Sequence, residues 1–310
     1  MQQRRAFDAE VFVSLWQRVC ESPPALLVLT GFFLGLNFPL GRLASEAGVS
    51  PLVWASVLAA GAWVLLSPPV LLLDKRIPVR RVHLQYYLVS SVFSLVIPNT
   101  LIFAVIVALG SGFTSILFTL SPIFTLVFSA LWQVRIPNRL GIVGIGFGLV
   151  GALVVTATRG ELGQPAGIGW VLAGLCIPVS LAVGNVYRTV YWPDGATPTQ
   201  LAVGSNFSAF VLLALAAICF DGAAAFASLN AVPVWVFVQM AVSAAMFSVF
   251  FRLQQVGGPT YLSQIGFVAS AVALAIGTLL LGERYSLITW FGAAVIVIGV
   301  MLGAVAQRSR

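Results

Sequence analysis

The chain has 310 residues, of which 60% are hydrophobic and only 8% are charged. A soluble globular protein carries about 25% charged residues, so this chain has too few polar side chains to cover a surface that faces water. Its net charge of +7 is compatible with nucleic-acid binding, but the distribution of the basic residues explains the charge better. No nucleic-acid partner is therefore expected.

The N-terminal segment, residues 1–24, precedes the first long apolar run. Within it, the stretch DAEVFVSLWQRVCE predicts an amphipathic helix that lies in the membrane interface. A short packed cytoplasmic helix is the alternative. The apolar face of the predicted helix consists of Val11, Phe12, Leu15, Trp16 and Val19.

Long charge-free runs follow, and each is long enough for a helix to cross about 30 Å of hydrocarbon. They are continuously apolar rather than alternating, which argues against an outer-membrane barrel and for helices. The longest run, 84–134, is broken at Gly110-Ser111-Gly112 and is expected to hold two spans. The sequence thus predicts an all-α polytopic membrane protein with ten transmembrane helices, at about 25–45, 51–73, 84–108, 112–133, 140–158, 167–190, 199–219, 231–252, 259–281 and 286–306.

Lys and Arg favour cytoplasmic loops, and this bias sets the orientation. With the N-terminus inside, only Arg42, Arg159 and Arg284 fall outside, so 13 of the 16 basic residues (16 − 3) are cytoplasmic. The sequence therefore predicts a multi-pass protein of the cell (inner) membrane with both termini in the cytoplasm.

The two halves of the chain align at an offset of 148 residues. Each half carries five spans, and because five is odd, the second copy enters the membrane from the opposite side. The prediction is two inverted five-helix repeats, at 25–158 and 167–306, with a connecting loop at 159–166 and a tail at 307–310. The matched pairs include Gly144 with Gly292, Gly151 with Gly299, Asn37 with Asn185, Tyr87 with Trp235, Gly110 with Gly258 and Ser115 with Ser263.

One corner of the repeat inverts its charge, since Arg135 stands where the second half has Glu283. In an inverted repeat the first corner faces inward and the second outward, so the positive-inside bias favours Arg at the first. Drift at an exposed loop is the alternative.

The sequence resembles the EamA-type branch of the drug/metabolite transporter superfamily over roughly residues 25–305. The resemblance is carried by the opening span GFFLGLNFPLGRLASEAGVSPLVWA and by LLLGERYSLITWFGAAVIVIGV at the end of the second unit. It implies a ten-helix carrier of small polar or amphiphilic metabolites, including amino acids and related compounds, often moved outward. Arg135 departs from the Glu that is usual in this family.

Polar residues inside the spans are the candidates for binding a solute. A buried polar group is costly unless it faces a cavity or a partner. Each could instead make an ordinary interhelical hydrogen bond, worth about 0.6 kcal/mol. The predicted substrate-binding residues are Asn37, Tyr87, Ser91, Asn99, Asn185, Trp235, Gln239 and Gln264.

All nine acidic residues fall in predicted loops or span ends, so no buried proton relay is evident. Transport is then either facilitated or coupled through a rim group such as Glu46 or Glu283. Arg42, Arg188 and Arg252 lie near span ends. They could attract an anionic group of a solute, but snorkelling towards the interface is the favoured interpretation.

Metal and catalytic chemistry find little support in the sequence. The lone histidine, His83, excludes a His-Glu-x-x-His motif, and the three cysteines have no metal-binding or redox spacing. No cofactor and no metal are predicted, and the expected partners are a small-molecule solute and the lipid bilayer, with a homo-oligomer left open. A sensor or scaffold, a channel and an intramembrane enzyme without a recognisable catalytic motif are the alternatives to a carrier.

Overall fold

The computed structural model describes residues 21–73, 76–118, 120–134, 138–157, 168–280 and 286–308. The predicted amphipathic helix at 11–19, the connecting loop at 159–166, Arg135 and Glu283 lie outside these residues. The described parts are helical and contain no strand. The helices are α1 Pro23–Glu46, α2 Pro51–Leu73, α3 Arg81–Ser91, α4 Ile97–Phe118, α5 Ser121–Leu131, α6 Arg139–Ala157, α7 Ile168–Val190, α8 Pro198–Phe220, α9 Pro233–Ser263, α10 Ile265–Leu280 and α11 Leu287–Arg308, with a π-helical turn at Val92–Val96 and a 3₁₀ segment at Ala223–Ala231.

The predicted class, an all-helical multi-pass membrane protein, is confirmed. By length and composition, six helical segments in the described ranges are able to cross a membrane, and three further apolar helices are shorter. The ten-span count stays a prediction. The six are Pro23–Glu46, Pro51–Leu73, Arg81–Ala108, Leu172–Val190, Pro198–Phe220 and Pro233–Ser263; the shorter ones are Ser121–Leu131, Arg139–Gly151 and Trp290–Gly299.

The predicted break at Gly110-Ser111-Gly112 is wrong, because α4 runs through these residues to Phe118. Two glycines cost a helix only about 1 kcal/mol each relative to alanine. Opening the helix in an apolar environment would instead leave backbone N–H and C=O groups without partners, which costs several kcal/mol per group. The division between the predicted third and fourth spans therefore falls after Phe118, next to the start of α5.

The predicted boundary between the eighth and ninth spans, at 253–258, includes a break in α9, where two helical stretches meet at Gly258. Helix α9 continues to Ser263 and bends sharply at Gly258, whose φ is 69° and ψ −171°. Pro259 lacks an N–H and disfavours the α conformation in the residue before it, and glycine tolerates the positive φ. The sequence Gly258-Pro259 thus interrupts the helical backbone at the point where the predicted ninth span begins.

Helices α2 and α8 form an antiparallel pair. Trp63 of α2 stacks on Phe210 of α8, with 5.4 Å between ring centroids. At one end, Ser50 Oγ, before α2, donates to Asp221 Oδ2, after α8, at 2.6 Å. At the other end, Gln200 Nε2 of α8 donates to the carbonyl of Arg76, beyond α2, at 3.2 Å. The start of each helix is therefore bonded to the chain just past the end of the other.

Helices α6 and α11 approach each other closely through glycine. A Cβ atom on Gly299 would lie 2.6 Å from the carbonyl oxygen of Gly144 and 2.6 Å from the backbone nitrogen of Gly148. Small residues allow this backbone approach, which drives helix association in lipid through van der Waals contact. Gly144 and Gly299, noted above only as repeat markers, thus have a packing role.

We expect Gly299→Ala to destabilise the protein, because the added methyl group meets backbone atoms that cannot rotate away. Overpacking of this kind costs about 1–3 kcal/mol. The measurement is the thermal unfolding midpoint of the purified protein in detergent. Gly146→Ala is the matched control, since a Cβ there meets nothing within 4 Å and alanine favours the helix. An equal midpoint for both variants would contradict the packing role.

Candidate solute-binding site

A small cavity lies among α1, the π-helical turn, α4, α5, α7, α9 and α10. Its volume is about 30 Å³, which holds about two water molecules. Most of its wall is apolar and consists of Leu, Ile, Pro, Phe and Met side chains. The polar residues in the wall are Ser94, Asn99, Ser121 and Asn185. Both halves of the chain contribute to this apolar site with few polar groups.

The π-helical turn widens the third apolar segment beside the cavity. Here the N–H of Ile97 bonds the carbonyl of Val92, five residues earlier. Pro98 has no N–H, so it cannot bond the carbonyl of Phe93 in the same wide register. Ser180 Oγ of α7 donates to that carbonyl instead, at 2.7 Å. Wide turns of this kind are frequent at functional sites, and this one places Ser94 and Leu95 in the wall.

A buried amide network joins α1 to α9 behind the wall. Gln239 Nε2 donates to Asn37 Oδ1 at 2.5 Å and to Ser243 Oγ at 2.9 Å. Asn37 Nδ2 donates to the carbonyl of Phe33 at 2.9 Å and lies 3.6 Å from Met246 Sδ. Met246 lines the cavity, so one side chain separates this network from the cavity.

A second polar network surrounds Arg188 near the end of α7. Arg188 Nη2 donates to Asn185 Oδ1 at 2.7 Å, and Nε donates to Gln254 Oε1 at 3.4 Å. Gln254 Nε2 also donates to Thr189 Oγ1 and, at 3.3 Å, to the carbonyl of Asn185. The guanidinium carbon lies 4.9 Å from the centroid of the Phe250 ring. Asn185 and Phe250 are cavity residues, so this network abuts the wall directly.

Of the eight residues predicted from sequence, Asn99 and Asn185 line the cavity, and Asn37 and Gln239 form the network behind it. Tyr87 is buried, and its hydroxyl donates to the carbonyl of Pro78 at 3.1 Å. The other three lie elsewhere. Ser91 Oγ donates to the carbonyl of Leu88 within its own helix, Gln264 Nε2 donates to the carbonyl of Thr260, and Trp235 is 40% exposed.

The position of Arg188 differs from the one expected from the sequence. Snorkelling was the favoured interpretation, but the side chain is 0% exposed and its hydrogen-bond partners are buried amides. Of the other two arginines, Arg42 pairs with Glu46 at 2.8 Å on an exposed face, and Arg252 Nη1 donates to Gln255. The available signal was the spacing of Asn185 and Arg188, since residues three apart share a helical face.

Comparison with known proteins gives a family match and a structural match. The model of the EamA-like transporter family matches residues 23–157. A crystal structure of another protein superposes with a TM-score of 0.67 at 16% identity, over 92% of this chain and 98% of that one. At that identity the likeness shows a shared fold alone. No curated protein matches by sequence.

The family match covers α1 to α6, the helices that supply Leu34, the π-helical turn, Asn99 and Ser121 to the cavity wall. It agrees with the resemblance carried by the opening span. Residues 23–157 therefore match the EamA-like transporter family, which belongs to the drug/metabolite transporter superfamily.

Proposed function

We propose that the protein is a secondary carrier that moves a small amphiphilic metabolite, an amino acid or a similar solute, across the cell membrane by alternating access. We further propose export as its direction. The observation that carries the proposal is the small cavity described above, whose wall is mostly apolar and holds a few polar groups from both halves of the chain. Solute sites usually have this composition. The family match supports a membrane transporter of small solutes.

The proposed carrier is built from two inverted five-helix repeats. Five features support this arrangement. Helices α2 and α8 begin 147 residues apart, each has 23 residues, and each follows a hydroxyl residue, Ser50 or Thr197, that caps it. Before these caps, Gly48 and Gly195 both have positive φ, 81° and 72°. The reciprocal, antiparallel contacts of α2 and α8 are what we would expect of two copies related by a two-fold axis in the membrane plane.

The cavity is too small for a metabolite, so transport requires it to widen. Two backbone irregularities adjoin it and are suited to act as hinges. The π-helical turn Val92–Val96 places Ser94 and Leu95 in the wall, and Leu262 follows the kink at Gly258 within the same helix. We propose that movements at these two points open the cavity towards one side of the membrane at a time.

The predicted binding residues take two roles in this proposal. Asn99 and Asn185 contact the solute at the wall, while Asn37 and Gln239 hold Met246 and the facing helices in place. The other four predicted residues join the solute pathway only if the cavity enlarges to reach them. They are Tyr87, Ser91, Trp235 and Gln264. A sensor or scaffold, a channel and an enzyme are the alternatives that the flux measurement below distinguishes.

We expect Asn99→Leu to reduce solute flux at least tenfold while lowering the thermal unfolding midpoint by less than about 3 °C. Leucine has the same branched arrangement of heavy atoms as asparagine but no polar atom, so it removes the polar anchor with a limited change in shape. Flux is measured as uptake of radiolabelled leucine, chosen as an amphiphilic amino acid, into proteoliposomes. Saturation with concentration separates a carrier from a channel.

The control is Asn206→Leu, which removes a buried amide on α8 that bonds only the carbonyl of Ala202 among the described residues. Asn206 does not line the cavity. We expect wild-type flux from this variant after correction for the amount of folded protein. Equal flux in the two variants would contradict a role of Asn99 in binding, and absence of saturable flux in the wild type would contradict the carrier.

The proposed orientation has both termini in the cytoplasm. It predicts that Ala47→Cys reacts with a membrane-impermeant maleimide added outside intact cells and that Asp194→Cys does not. Both positions are exposed and avoid the neighbouring glycines of positive φ. The background lacks Cys20, Cys176 and Cys219, and permeabilised cells provide the control in which both sites should react. The opposite pattern in intact cells would invert the orientation.

A further inference from the structure

Arg188 is a fully buried cation with neutral partners. Its side chain is 0% exposed. It donates hydrogen bonds to two amide oxygens, and its guanidinium carbon lies over the rings of Phe250 and Phe251, at 4.9 and 5.9 Å from their centroids. In the described part of the chain, no carboxylate forms an ion pair with it. Removing an ion from water costs several kcal/mol, which amide dipoles and ring faces offset only in part. The bundle therefore holds a net positive charge at this point.

This charge lies directly behind the cavity wall. Asn185 and Phe250 both line the cavity and both contact the guanidinium. The Nη1 atom of Arg188 is buried and has no hydrogen-bond partner among the described residues. The guanidinium has five N–H donors, and Nη1 carries two of them. A ligand in the cavity that displaces Asn185 Oδ1 would thus meet a charged group whose Nη1 donors are still available for hydrogen bonds.

A second buried donor lies near by. Tyr86 is 1% exposed, and its hydroxyl has no hydrogen-bond partner in the described ranges. Its ring packs against that of Tyr187, the neighbour of Arg188, at 6.1 Å between centroids. Leaving a buried polar group unpaired costs about 1–3 kcal/mol. Two buried groups that can donate a hydrogen bond, Tyr86 Oη and Arg188 Nη1, thus lie without partners on neighbouring parts of α3 and α7.

We propose that Arg188, together with Asn185, forms an anion subsite that receives the carboxylate of the transported solute. The inference deepens the proposed carrier function and rests on it. The planar fork of the guanidinium matches two carboxylate oxygens, and the apolar wall at Met246 and Phe247 receives the rest of the solute. A single arginine neutralises about one negative charge, whereas a phosphate monoester carries nearly two. The chemistry therefore favours a monocarboxylate with an apolar body.

The test compares two probes of the same shape, 4-phenylbutyrate and 4-phenylbutyramide, which differ in charge. Their binding to the purified full-length protein in detergent is measured by isothermal titration calorimetry. We expect the carboxylate to bind wild type about tenfold or more tightly than the amide, the factor expected of a hydrogen bond to a charged group. Equal affinities, or no binding of the carboxylate, would overturn the proposal.

Variants then assign the preference to Arg188. Arg188→Met keeps the apolar stem and should bind the two probes within about threefold of each other, while Arg188→Lys keeps the charge without the fork and should retain a smaller preference. Arg252→Met is the matched control and should behave as wild type. If Arg188→Met does not fold, the lysine variant decides, and an undiminished preference in it would refute the role of the fork.

Failure of this subsite is distinguishable from failure of the carrier. Saturable leucine flux in proteoliposomes without any preference for the carboxylate probe would leave the carrier standing and remove the subsite. A carboxylate preference that depends on Arg188, without flux of leucine or of 4-phenylbutyrate, would leave an anion-binding membrane protein and remove the carrier.

Discussion

The structure depends on one constraint, which is that polar groups inside an apolar bundle find their partners within the bundle. Ser180 donates to the carbonyl of Phe93 where a wide turn and Pro98 leave it without a backbone donor. Gln239 donates to Asn37 across the interface of α1 and α9. Each of these hydrogen bonds joins two helical segments. Such bonds matter in a membrane because lipid tails are as apolar as the side chains, so the hydrophobic effect does not drive helices together there. Helix contacts near the cavity are thus specified largely by a few polar groups.

The two halves of the chain use this chemistry differently. Asn37 and Asn185 stand 148 residues apart, and the side-chain oxygen of each accepts a hydrogen bond, from Gln239 in one case and from Arg188 in the other. The residue 148 positions before Arg188 is Leu40, which is buried and apolar. A similar framework thus carries a charge on one side only. That asymmetry gives the cavity wall a positive end near α7.

Much of the fold could be predicted from the sequence because long apolar runs have few alternatives to helices. The wrong prediction about the fold concerns glycine residues. Gly110 and Gly112 were interpreted as a loop, yet the helix continues, since broken backbone hydrogen bonds cost more in an apolar environment than weak helix propensity. Asn99 and Asn185, which line the cavity, could be selected from the sequence because an amide in an apolar span stands out. The burial of Arg188 was missed because a residue near a span end is equally compatible with the interface and the interior, and only the packing of α9 against α7 determines which it takes.

The pairing of α2 with α8 has a mechanical consequence. A shift of one residue along a helix is 1.5 Å, which would break the hydrogen bonds at both ends, of 2.6 Å and 3.2 Å, and move Trp63 off the ring of Phe210. Sliding of one half past the other along this pair is therefore opposed at three separate points. Tilting about the contact of Trp63 with Phe210 disturbs this central contact least, so the geometry of the pair permits tilting more readily than sliding.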